Sequence, residues 1–258
     1  MKTMISSPEQ SKDLKAWLAE APFSLAMSSG FFGFFAHAGF IKALEAHELK
    51  PISLHGASAG ALTAALWAAG LKAESIVEQL NLLKRQDFWD PYPGPGILRG
   101  RKFEKKLSEL LPVNNFSDCK TPLFISVFDP VAMKTVSLTS GSLTTAIRAS
   151  CAVPFMFHPV WSGRRPYLDG GILDRPGIAG ARSDERLLYH HLLPRSFWRR
   201  KKAKSSLAPE RALMRTVAVP GLPKVSPFKL DEGRRALTQA YDYTMKLLEK
   251  SESFSSGI

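Results

Sequence analysis

The sequence predicts an α/β domain of three layers, a mostly parallel sheet covered by helices on both faces. Three observations carry that prediction. A strand, a glycine-containing turn and a helix follow one another twice within the first 70 residues, and strand-like and helix-like stretches keep alternating afterwards. With 45% hydrophobic and 22% charged residues, the 258-residue chain can bury one sizeable core.

The elements follow in order. Residues 1–22 are polar and read as an N-terminal extension, with 23–258 as one domain. Phe23 to Ser28 is the first strand, running into the turn Ser29-Gly30-Phe31-Phe32-Gly33 and then a helix to about His47, with Ala38, Ile41 and Leu44 on one face. Pro51 follows the end of that helix. Ile52 to His55 is the second strand; it enters Gly56-Ala57-Ser58-Ala59-Gly60, and a small-residue helix from Ala59 to Ala69 stops at Gly70. Residues 73–85 form an amphipathic helix. The Pro/Gly-rich stretch Asp90 to Gly96 cannot continue it and is a loop, a candidate lid hinge. Leu123 to Phe128 and Thr135 to Thr139 are strands, Leu143 to Ala149 is a short helix, Leu187 to Leu193 and Thr216 to Val219 are strands, and a helix from about Glu232 to Lys250 closes the chain.

Bulk composition narrows the function classes. Cys119 and Cys151 lack a CxxC or His-rich context, which argues against a disulfide framework and a structural zinc site and points to a reducing compartment, the cytoplasm. No run reaches the roughly 20 apolar residues of a membrane span, and the N-terminus has no signal-peptide core. The formal charge of +12 favours anionic partners. Much of it lies in 195–204, where Arg195, Arg199, Arg200, Lys201, Lys202 and Lys204 surround Phe197 and Trp198. That run reads first as a solvated loop and second as a peripheral anchor for an anionic membrane. Nucleic acid is not expected, since no binding motif accompanies the charge.

The chemistry centres on Ser58. A serine on a sharp strand-to-helix turn needs small neighbours, which Gly56 and Gly60 supply, and it sits where free helix N–H groups favour developing negative charge. A five-residue GxSxG alone also arises from close helix packing. Two schemes supply a base. In an α/β-hydrolase arrangement Ser58 would work with Asp169 or Asp174 and His190 or His191. Only two strands precede Ser58, and both histidines lie inside a strand pattern, which counts against it. In the second, Asp169 of Tyr167-Leu168-Asp169-Gly170-Gly171 takes the proton directly, although Asp-Gly-Gly by itself is an ordinary turn signal.

Four ordered motifs resemble the patatin-like phospholipase family: Ser28-Ser29-Gly30-Phe31-Phe32-Gly33 with His37-Ala38-Gly39-Phe40, the elbow at 56–60, the stretch Arg148 to Val160, and Asp169-Gly170-Gly171 followed by Asp174 and Pro176. The resemblance covers residues 23–180. It implies a patatin-like fold, a Ser58–Asp169 dyad, and a lipid acyl hydrolase (phospholipase or esterase) acting on a lipid ester without metal or organic cofactor. Backbone N–H groups of Gly30, Phe31 and Ala59 are its expected oxyanion donors, with Gly33, Gly56, Gly60, Gly170 and Gly171 supporting the motifs. The loop Gly30-Phe31-Phe32-Gly33 departs from the family's triple glycine, and Asp174 stands where the family often has Asn. His37 is assigned no proton transfer. Phe31, Phe32 and Phe155 are expected to line an acyl-chain channel. A catalytically weak lipid-binding protein on the same fold is the alternative from another class.

Overall fold

The computed structural model describes residues 14–193 and 208–249. Its strands are β1 (Ser24–Met27), β2 (Leu54–Ala57), β3 (Gly96–Leu98), β4 (Leu123–Asp129), β5 (Lys134–Leu138), β6 (Phe155–Phe157), β7 (Val160–Ser162), β8 (Arg165–Asp169), β9 (Leu187–His190) and β10 (Met214–Val217). The helices are α1 (Leu14–Glu20), α2 (Phe34–Ala46), α3 (Ala59–Ala68), α4 (Ala73–Leu82), α5 (Arg101–Leu110), α6 (Leu143–Ser150) and α7 (Leu230–Glu249). An eight-stranded sheet runs β10-β9-β1-β2-β4-β8-β7, with β5 also on β4. From β10 to β4 all pairings are parallel, whereas β5, β8 and β7 join antiparallel. The expected three-layer α/β/α class with a mostly parallel sheet holds, and its antiparallel edge is the part that alternation alone did not predict.

The strands are short and buried because both faces are covered. Leu25 and Met27 of β1 join the main core, while Ala26 turns the other way and packs with Leu187 and Tyr189 under Ile178 and Ala181. Helix α2 buries Phe35, Phe40, Ile41 and Leu44 and lies against α7. That approach needs Gly39, since a Cβ there would stand 2.1 Å from the Leu237 carbonyl oxygen. Each such fully buried large side chain stabilises by about 1.5–3 kcal/mol relative to exposure.

Three expectations shift in detail. Strand β2 begins at Leu54 and runs to Ala57, because Ile52 is exposed, so the strand leads straight into Ser58. Within the stretch expected as an extension, α1 buries Leu14, Trp17 and Leu18 in the main core. The Pro/Gly-rich stretch ends in β3, which pairs with β6 through Gly96 and Phe155. The basic segment 195–204 lies outside the described residues. Among the described residues no helix is long and apolar enough to cross a membrane.

Candidate active site

Position 58 is where β2 ends and α3 begins, and the backbone there is strained. Ser58 has φ +52° and ψ −118°, a conformation that costs a side-chain-bearing residue about 1–3 kcal/mol. Its hydroxyl makes no capping hydrogen bond to α3 and so is left for other chemistry. The strain lies on the serine itself, while Gly60 serves close packing: a Cβ there would fall 2.0 Å from the Met27 carbonyl oxygen. The turn is held from outside. Ser58 N–H donates to Ser150 Oγ at 2.8 Å, and Ser150 Oγ donates to the Ser126 carbonyl at 2.7 Å. Ser126 Oγ donates in turn to Asp174 Oδ2 at 2.6 Å, and Asp174 accepts the N–H groups of Gly177, Ile178 and Ala179. Gly177 of that knot rests on the backbone of Gly56 and Ala57. Asp174 thus ties the turn after Asp169 to the floor beneath Ser58.

Asp169 arrives from the other side. It ends β8, which pairs antiparallel with β4 at Val127, and its N–H donates to the Ala152 carbonyl at 3.0 Å. Oδ1 accepts from Gly171 N–H at 2.7 Å, whereas Oδ2 is buried with no full hydrogen bond. Burial raises the carboxyl to about 6, opposed by the neighbouring Ser58 hydroxyl and by Gly171 N–H. Cys151 completes the wall. Burial lifts its thiol well above its ordinary value and the charge of Asp169 adds to this, with the Ser58 hydroxyl opposing, so it is neutral.

Ser58 and Asp169 open on one cavity of about 380 Å³. Gly30, Phe31, Phe32, Ala59 and Gly171 line it, and Leu62, Leu98 and Leu107 make its interior apolar. Asp87 and Lys106 are its other charged lining residues. The loop after β1 is a turn closed by Gly33 N–H on the Gly30 carbonyl at 2.8 Å and anchored where Ser29 N–H meets the Arg175 carbonyl at 2.8 Å. Leu192 packs against Gly30 and Gly33 behind it. Among the described residues no partner occupies the N–H of Gly30, Phe31 or Phe32.

Phe155 departs from expectation. It is 84% exposed at φ +65° and points away from the cavity, and its neighbours Met156 and Phe157 line the wall instead. Aromatic density in Phe155-Met156-Phe157 gave no sign of which side faced inward.

The histidines are elsewhere. His190 lies fully buried in β9, stacked on Phe40 with ring centroids 4.1 Å apart, and neither it nor His191 lines the cavity. His37 Nε2 must donate to the Ser28 carbonyl at 2.8 Å, so its Nδ1 accepts from His190 Nδ1 at 2.8 Å. Burial holds His37 down at about 4, with the Ser28 carbonyl opposing, and holds His190 well below the usual value. The three-part scheme is therefore not assembled. Sequence reasoning missed the Ser150–Ser126–Asp174 chain and Cys151, whose only signal was their place beside the motifs.

The fold and site define a parallel-sheet α/β protein with a serine on a strained strand-to-helix turn and a buried carboxylate opening on the same apolar cavity. Residues 25–182 match the model of the patatin-like phospholipase family, more than half of the chain, and the protein belongs to that family. It is 32% identical over 167 residues to an uncharacterized NTE family protein of Mycobacterium tuberculosis (strain ATCC 25618 / H37Rv), covering 62% of this chain and 46% of that one. It is 26% identical over 189 residues to the neuropathy target esterase sws of Drosophila persimilis, covering 68% of this chain and 13% of that protein. The chain thus spans less than half the length of these relatives. In structure it is similar to VipD from Legionella pneumophila, with TM-score 0.56 at 16% identity over 89% of this chain and 67% of that one, a likeness of fold.

Proposed function

We propose that the protein is a serine lipid acyl hydrolase, a phospholipase A or carboxylic-ester hydrolase, working through Ser58 and Asp169. Ser58 Oγ bonds to the ester carbonyl carbon while its proton passes to Asp169. The oxyanion is held by N–H groups of Gly30, Phe31 and Ala59, preorganised donors of the kind that stabilise tetrahedral intermediates. Collapse of the intermediate expels the alcohol, which takes the proton back from Asp169, and water then releases the acyl group by the same steps. The apolar cavity takes the acyl chain, with Phe32 in its wall.

The observation that carries this reading is geometric: Ser58 and Asp169 open together on one apolar cavity, with Asp169 Oδ2 free of any full hydrogen bond. A carboxylate poised near 6 is ionised at neutral pH yet basic enough to receive a serine proton in the transition state, and one of its oxygens is left uncommitted beside that serine. Family membership and the apolar cavity support a lipid ester as substrate.

The test is incubation of wild type and Ser58→Ala with a mixed lipid extract and mass spectrometry of released fatty acids, with fluorophosphonate labelling in parallel. Wild type should release fatty acid and label, and Ser58→Ala should do neither, with a loss of at least ~10³-fold. Labelling retained in Ser58→Ala, or binding of lipid with no release by wild type, sinks the proposal. The second outcome would point to non-catalytic lipid binding.

A further inference from the structure

The outer side of the cavity wall carries an unusual surface. Each of several lining residues has a large or cationic neighbour on the outer side, exposed for Ile97, Phe155 and Phe228 and half-buried for Trp89 and Arg99. Phe88 in the wall is followed by Trp89, Leu98 lies between Ile97 and Arg99, Met156 follows Phe155, and Pro227 precedes Phe228. Of these outer residues Phe155 is 84%, Phe228 68% and Ile97 61% exposed.

They are held together by contacts, so they form one face. The Arg85 guanidinium lies 4.9 Å from the Phe228 ring centroid and 5.8 Å from that of Trp89, and those two rings are 5.7 Å apart. Lys84, Arg85, Gln86, Trp89 and Lys102 enclose a shallow polar pocket of about 360 Å³. From there Asp90 accepts the N–H groups of Gly100, Arg101 and Lys102, joining this corner to the bridge between Pro91 and Leu98. On that bridge Arg99 stands 4.5 Å from the centroid of Tyr92, and the Gly96–Phe155 pairing brings alongside the most exposed aromatic among the described residues.

The charge of this face is predominantly positive. Residues 84–106 hold seven Lys and Arg against three carboxylates. The carboxylates are occupied: Asp87 accepts Lys84 N–H, Asp90 accepts the start of α5, and Glu104 pairs with Arg148 at 2.9 Å. With Lys106 turned to the cavity, Lys84, Arg85, Arg101 and Lys102 remain exposed and interleaved with large apolar groups, the composition that seats at the headgroup level of a bilayer.

The geometry points to this face, the 84–102 segment with Phe155 and Phe228, as a docking surface for an anionic phospholipid bilayer. It rests on the lipid-hydrolase reading for its purpose, since it would seat the cavity wall against the lipid that supplies the acyl chain. Cations take the phosphates, and Phe155, Ile97 and Phe228 enter the boundary with the acyl region.

Docking is measured without turnover, using full-length Ser58→Ala and sedimentation with vesicles of phosphatidylcholine alone or with phosphatidylserine. Binding should require phosphatidylserine and fall as salt rises. At about fivefold per cation, Arg85→Glu with Lys102→Glu should weaken it at least ~20-fold. Phe155→Ser with Phe228→Ser, a second and independent pair should the first fail to fold, should abolish salt-resistant binding. In an otherwise wild-type chain both pairs should hydrolyse a soluble monomeric ester as wild type does. Undiminished vesicle binding by a folded pair, absence of binding by Ser58→Ala, or complete loss on replacing only Arg199, Arg200, Lys201 and Lys202 by Ser overturns the proposal. No turnover of the soluble ester by wild type would instead strike the hydrolase reading, leaving the binding result intact.

Discussion

Two buried sites, built on the same sheet, each contain a titratable pair and each leave one polar atom without a hydrogen bond. At Asp169 that atom is Oδ2, and at His190 it is Nε2. Desolvation acts alike on both, driving the aspartate up and the histidines down toward their neutral forms. The difference lies in what surrounds them. His190 is sealed between Phe40 and His37, with nothing to react with, whereas Asp169 opens on an apolar cavity beside a serine hydroxyl. A perturbed buried group marks a functional site only where a cavity and a reaction partner meet it.

The contrast can be broken most sharply at Asp169. Asp169→Asn should lose at least ~10³-fold in kcat, as expected when a general base is removed from a unit that acts together. The same change should stabilise the fold. A carboxyl whose folded pKa is raised loses stability as pH climbs from its unfolded value near 4 through about 6, so at pH 8 the variant should gain about 3 kcal/mol over wild type and at pH 3.5 almost nothing. Denaturant unfolding at both pH values reads this directly. Equal stability at pH 8 would mean that the burial cost is relieved elsewhere.

Asp174→Ala comes next. It removes the acceptor for Ser126 Oγ and three backbone N–H groups, so it should cost about 3 kcal/mol and lower kcat roughly 10–100-fold with KM little changed. An unchanged kcat would show that the Ser150 link alone holds Ser58.

The pH profile is a graded test. With Asp169 as the base, kcat/KM on a soluble ester should fall tenfold per unit below about pH 6 and be flat above it. Asp174→Ala should shift that inflection little, because Asp174 acts through the backbone.

The smallest effects belong to the histidines. His190→Gln should leave turnover within about threefold of wild type while costing about 1–2 kcal/mol, a few degrees in Tm. Buried neutral histidines act on stability with the opposite sign from Asp169. Their stability is present above about 6.5 and lost as pH falls toward 4, so wild type should weaken on acidification over that window and His190→Gln less so. A large loss of turnover in His190→Gln would revive the three-part scheme.

These two regions also differ in how far they could be read from sequence. The elbow was legible because periodicity and small residues agree: a strand, Gly56-Ala57-Ser58-Ala59-Gly60 and a helix of alanines and leucines admit few other foldings. Asp169 was legible only through the order of four motifs, since Asp-Gly-Gly is a common turn. The Ser150–Ser126–Asp174 chain spans three distant segments joined only by register, which no local pattern encodes. The hairpin of β7 and β8 escaped notice because its exposed Trp161 and Arg165 and its half-buried Pro166 break alternation. Helix α5 did too, as Leu107 is its only fully buried residue. Phe155 shows the limit of composition: hydrophobic content located a wall and could not say which of its sides was wet.

The backbone at position 58 has a consequence for how such a chain can change over time. A positive φ with ψ at −118° is a conformation that glycine adopts at least cost, so replacement by glycine would relieve strain that serine must carry. Selection for a more stable fold and selection for turnover therefore pull on this codon in opposite directions. The hydroxyl persists there only while something requires it.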